Sequence, residues 1–173
     1  YITVDKIHDS TPHTGSKTVL RVEVDGVQHS WEPFNTEQRG NYETTRNIYK
    51  SLLGNKLCLE EINHDLQLAF RYTWATSDRY GFARQCELTN LGGANATIDL
   101  LDGLQNILPA GTPLFAQSNT SNLVDAYKWS ELDESTGLAY FALYSGITDR
   151  AEPCESLRAT TVFCLGLDER EVL

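Results

Sequence analysis

The sequence predicts an all-β antiparallel sandwich with one or two short helices, and three observations carry the prediction. Leu66, Leu68, Phe70, Tyr72 and Trp74 alternate with Gln67, Arg71 and Thr73, the period of two expected of a strand with one buried face. Asp25-Gly26 separates two further alternating segments, and both residues tolerate the positive φ of a tight hairpin turn. Short strand-like runs then recur along the chain with polar, glycine-containing turns between them, the spacing of a sandwich.

Taken in order, residues 18–24 and 27–31 form the first hairpin around Asp25-Gly26. Tyr42, Thr45, Tyr49, Leu52 and Leu53 share a face at helical spacing, and Gly54-Asn55 supplies a stop, so a helix is expected over 42–53. Residues 56–62 read as the partner of the 66–74 strand, with Asn63-His64-Asp65 as their turn. Residues 82–89 and 96–101 flank a turn-rich connection, and 127–132 and 138–144 flank Asp133-Glu134-Ser135-Thr136-Gly137. Residues 159–167 are apolar on both faces and are expected to form a central, doubly covered strand. Between Asn106 and Asn122 neither period is present, which predicts a long irregular loop. Roughly nine strands result, in one domain spanning 1–173.

The bulk composition narrows the function. Net charge is −10, from 24 acidic against 14 basic residues, and the bases are scattered singly. Nucleic acid is therefore not an expected partner, because phosphate backbones are gripped by clustered Lys and Arg. No apolar run approaches the ~20 residues of a membrane helix, so no membrane partner is expected either. The chain opens at Tyr1 inside a strand-like alternation, contains no methionine, and stops in a charged stretch. It is read as the N-terminal part of a longer protein.

Cys58, Cys86 and Cys164 lie in apolar strand patterns and Cys154 beside Pro153, with no C-x-x-C pair; buried thiols are expected, an inter-strand disulfide being the alternative. Asn95-Ala96-Thr97 and Asn119-Thr120-Ser121 are sequons that matter only in a eukaryotic secreted protein. The compartment stays open, with the cytoplasm favoured.

No phosphate-binding glycine loop, nucleophile elbow or H-E-x-x-H occurs, and no cofactor is expected. His8 and His13, with Asp9 between them, lack a third ligand and are read as surface residues, so no metal is expected. The Phe70, Tyr72 and Trp74 stripe is read as core rather than as a sugar platform. Trp129 is the better ligand candidate, beside Lys128 and just beyond the irregular loop that Asn106 opens. Arg150 and Glu152 complete the candidate ligand-binding set, in an acidic cluster with Asp149 and Glu155 around Pro153. Asp102, at the end of a strand before Gly103, is weighed as a catalytic carboxylate and read as a turn cap. No catalytic residue is assigned.

Phe82-Ala83-Arg84-Gln85-Cys86-Glu87-Leu88-Thr89-Asn90-Leu91-Gly92, followed by residues 96–102, resembles a strand, Thr-Asn, turn, strand element of large β-sandwich domains. Those domains precede (α/α)6-barrel catalytic domains in the glycoside phosphorylases that include cellobiose phosphorylase, and their fold is similar to galactose mutarotase, a super-sandwich. Residues 102–109 and 157–161 are similar to segments of uncharacterised bacterial proteins near that group. The resemblance spans about residues 56–167 and implies a scaffold, a subunit contact and one wall of a sugar site. It implies as partners a carbohydrate, a C-terminal catalytic domain of the same protein and a second copy of the chain. The general acid of that family lies on the helical barrel, so the resemblance carries no catalytic residue onto these 173 residues. Two rivals are a free-standing mutarotase-like epimerase, which would need His29 or His64 opposite a carboxylate, and a lectin-like binding module.

Overall fold

A computed structural model of the chain describes residues 14–145 and 155–165. Strands dominate, all paired antiparallel where the register is defined, and two short helices accompany them. The residues gather into two compact units, Lys17–Gly103 and one built from Leu104–Leu173 with Tyr1–Ser16.

The Lys17–Gly103 unit is a sandwich of two sheets. One has the order β2-β1-β7, from β1 (Gly15–Val24), β2 (Val27–Trp31) and β7 (Thr97–Gln105). The other is a meander in the order β3-β4-β5-β6, from β3 (Thr44–Lys50), β4 (Lys56–Asn63), β5 (Leu68–Ser77) and β6 (Gly81–Asn90). Asp25 and Gly26 take φ of 51° and 76°, the doubly positive turn that the first hairpin requires. Between the sheets Leu20, Val22 and Trp31 meet Leu66, Leu68 and Phe70, all at most 7% exposed. The alternation of β5 thus lies where the sequence puts it, with Leu68 and Phe70 in the core and Tyr72 half-buried beside them. Leu66 belongs to the four-residue turn before β5 rather than to the strand, yet is buried. Asn63 organises that turn by accepting the Leu66 N–H through Oδ1 at 3.0 Å.

The expected helix over 42–53 is instead strand β3. Its residues pair with β4 from Thr44↔Asn63 to Lys50↔Leu57. Thr44, Thr45, Ile48 and Tyr49 are β-branched or aromatic, so they suit a pleated surface, and the β4 edge satisfies the backbone that a helix would have satisfied internally. Gly54 is then not a helix stop; at φ 72° it closes the hairpin turn, its N–H donating to the Ser51 carbonyl at 2.9 Å. Leu52 and Leu53 sit on this turn and are exposed.

The second unit holds α1 (Leu114–Asn119), α2 (Ser121–Tyr127) and a three-stranded sheet in the order β10-β9-β8. Its strands are β8 (Lys128–Asp133), β9 (Leu138–Ser145) and β10 (Glu155–Val162). The segment expected to be an irregular loop therefore contains one helix and opens a second. Helices of six and seven residues are too short to display a 3.6 period. They bury Ala116 and Val124, while Thr112 and Thr120 bond back to the carbonyls of Pro109 and Ala116. Nor is the last strand central among the described residues: β10 lies at the edge of its sheet there, and Phe163 and Leu165 beyond it are 42% and 83% exposed. A continuous apolar run does not by itself guarantee cover on both faces.

Candidate functional site

Trp129 stands on a sheet face, in the strand that the sequence places after the 106–122 segment. It is the second residue of β8 and pairs with Ala142 of β9, which in turn pairs with Ala159 of β10. Alternation along β9 puts Tyr140 and Tyr144 on the same face as Ala142, so both tyrosines are diagonal neighbours of Trp129. Small side chains thus lie at the centre of three large rings. Ala142 is buried, while Trp129 and Tyr144 are 58% and 45% exposed and Tyr140 is half-exposed. Glu131 and Thr161, directly opposite Tyr140 on either side, add a carboxylate and a hydroxyl to the same face.

Lys128 faces the other side of β8, where its side chain is largely buried. Its ammonium donates to Asp125 Oδ1 at 2.9 Å and to Asn106 Oδ1. Asn106 adopts φ 55° and donates from Nδ2 to Thr14 Oγ1 at 3.3 Å. Two of the predicted ligand residues are thus brought together, as a clasp between the segment after β7 and the start of β8. Arg150 and Glu152 lie outside the described residues, as do His8, Asp9, His13 and Cys154. Among the described residues no group of three His, Cys, Asp or Glu could hold a metal.

Asp102 does not end a strand or cap a turn. It lies within β7 and joins the two sheets of the sandwich. Arg84 of β6 grips both its carboxylate oxygens at 2.6 and 2.9 Å, Thr18 donates at 2.5 Å, and the Cys86 thiol donates at 3.2 Å. Arg84 also stacks over Tyr72, 4.9 Å from the ring centre. Burial pulls the Asp102 carboxyl upward, but Arg84 and Thr18 outweigh it and hold the group below its ordinary value. Cys58, Cys86 and Cys164 carry thiols rather than disulfides; Cys58 and Cys86 are half-buried, whereas Cys164 is exposed, contrary to the expectation that it packs in a core.

A second polar assembly was not foreseen. Glu61 of β4 is 2% exposed, yet it accepts from Trp31 Nε1 at 3.0 Å, the Phe34 N–H at 2.9 Å and Arg46 Nε at 2.6 Å. Phe34 sits at φ 66° after Pro33, in a turn closed by Asn35 N–H to the Glu32 carbonyl, the pattern of a type II turn. Its ring meets Tyr72 edge-on at 5.2 Å, which holds the backbone in that conformation. Beside Glu61 opens a cavity of about 370 Å³, walled by the 32–44 connection, Arg46 and Trp31. Reading 42–53 as a helix concealed it, since Arg46 reaches Glu61 only because they are cross-strand partners. A Glu-Glu pair inside the otherwise apolar 57–62 run was the available signal.

Buried Glu60 and half-buried Glu32 also accept hydrogen bonds from cations. Hydrogen bonds from Asn47, then Arg71, keep Glu60 below its ordinary value against burial. Lys17, at 2.5 Å, and Asn35 do the same for Glu32. His64 bonds Thr45 at 2.8 Å, and no carboxylate among the described residues hydrogen-bonds either His29 or His64. Against known proteins, the sequence matches no family model and no curated protein.

Proposed function

We propose that the chain is a non-catalytic β-sandwich module of a carbohydrate-processing enzyme, and that it contacts sugar through Trp129, Tyr140 and Tyr144. The observation that carries this reading is the cluster of three partly exposed rings around Ala142 on one sheet face. A pyranose presents C–H groups on its flat faces, which suit the negative face of an aromatic ring, while Glu131 and Thr161 can bond the hydroxyls at its edge. The non-catalytic part rests on the carboxylates. Glu32, Glu60 and Asp102 are held below their ordinary values, Glu32 chiefly by Lys17, Glu60 by Asn47 and then Arg71, and Asp102, against burial, by Arg84, whereas a general acid needs its pKa raised towards the working pH. A C-terminal catalytic domain of the same protein would supply the chemistry, with this module as scaffold, subunit contact and one wall of the sugar site.

Calorimetry with neutral oligosaccharides tests the reading. Trp129→Ala is expected to weaken binding at least tenfold, as truncation of an aromatic anchor does. In the same samples, polarimetry on fresh glucose should show anomer exchange at its uncatalysed rate. Unchanged affinity in the variant, or exchange that accelerates with protein and is lost in His29→Ala or His64→Ala, would remove the module reading.

A further inference from the structure

We propose that the cavity beside Glu61 binds a small hydroxylated monocarboxylate, a sugar acid of the uronic acid class. This goes beyond the proposed function and uses different residues, all within Lys17–Gly103. At about 370 Å³ the cavity falls within the range of about 300–1,000 Å³ typical of small-molecule sites.

Two arginines decide the chemistry. Arg39 lines the cavity, and its guanidinium has no hydrogen bond or ion pair among the described residues. Arg46 is prepositioned: Glu61 holds its Nε at 2.6 Å and the Asn35 carbonyl takes Nη2 at 3.3 Å, leaving Nη1 uncommitted. Glu61 is itself fixed by the Trp31 indole and the Phe34 amide, so Arg46 is ordered before any ligand arrives. That lowers the entropy lost on binding. A planar guanidinium matches a carboxylate in a bidentate pair.

Charge selects one anion over another. Glu61 pairs with Arg46, and Glu32 pairs with Lys17 from outside the cavity, which leaves Arg39 as the lining cation with no ion pair among the described residues, on a chain whose net charge is −10. One carboxylate neutralises that cation, whereas a phosphate dianion would leave a negative charge in an acidic surround. The remaining uncommitted groups are suited to hydroxyls. Gln38 accepts the Glu32 N–H through Oε1, which leaves its Nε2 donors open, and the Thr44 hydroxyl lines the same wall.

The experiment is isothermal titration with sodium glucuronate, glucose and inorganic phosphate of the full chain and of its Trp129→Ala variant, the three ligands being compared in the variant so that the aromatic face does not contribute. Glucuronate should bind saturably, with glucose and phosphate each at least about tenfold weaker, the loss expected for one charge-assisted pair. Arg39→Ala, an exposed change that leaves the Glu61 bonds intact, should weaken glucuronate at least about tenfold. Trp129→Ala should leave it unchanged, so failure here is distinguishable from failure of the aromatic-face reading. Absence of saturable glucuronate binding, equal affinity for glucose, tighter phosphate binding or indifference to Arg39→Ala would each overturn the proposal. Sensitivity to Trp129→Ala alone would do the same.

Discussion

Replacing Phe70 with alanine is expected to cost the Lys17–Gly103 sandwich about 3–5 kcal/mol, the range for aromatic truncation in a packed core. Phe70 is 1% exposed, packs with Leu20, Val22, Trp31 and Leu68, and meets the Phe34 ring edge-on at 6.4 Å. Its removal leaves a void that strands on both sides cannot close without breaking their ladders. Phe82, on the same strand-pair meander, is 79% exposed, and its truncation should stay within about 0.5 kcal/mol. Hydrogen exchange at the amides of β4 and β5 reads both variants in this unit specifically. Equal protection in the two would mean that the β5 face is not the core.

Asp102→Ala should be comparably severe, at about 3–5 kcal/mol, because it strands a buried guanidinium. The Arg84 side chain is 8% exposed, and Asp102 takes both of its bonding nitrogens. Replacing both residues together, Asp102→Leu with Arg84→Met, should recover most of the loss, since an apolar pair carries no uncompensated charge. The pair also predicts a pH dependence with a definite sign. The Asp102 carboxyl is held below its ordinary value of 3.8, so its stabilising contribution is complete above pH 3.8 and disappears as pH falls through the depressed value. Urea denaturation between pH 6 and pH 2 should show a larger acid-side loss in the natural chain than in the double variant, where only the other depressed carboxylates, Glu32 and Glu60 among them, remain to contribute.

Legibility in the sequence followed how local each signal was. The Asp25-Gly26 hairpin and the alternating face of β5 were readable because turn chemistry and a period of two are written in adjacent residues. β3 was misread because Tyr42, Thr45, Tyr49 and Leu52 fit a helical stripe, and only pairing with β4 decides between the two. That single misreading hid the Glu61 cavity. Asp102 was recognised as a carboxylate of interest, yet its partners Thr18 and Arg84 lie 84 and 18 residues away, beyond any local pattern. Trp129 is legible from its position after the 106–122 segment. Tyr140 and Tyr144 were not, because their shared face depends on the register of β8 against β9. Lys128 and Asn106 lie 22 residues apart in the sequence, and the fold joins them in one clasp.

On the proposed function, sugar meets the Trp129 face and is not transformed there. Backbone and indole resonances of the labelled chain, followed by NMR during titration with a neutral oligosaccharide, test it most directly. Shifts are expected to concentrate at the Trp129 indole and at Tyr140, Ala142 and Tyr144, with the oligosaccharide's own spectrum unchanged over hours. Shifts confined to other strands, none at saturating sugar, or new sugar signals growing in with time would contradict it.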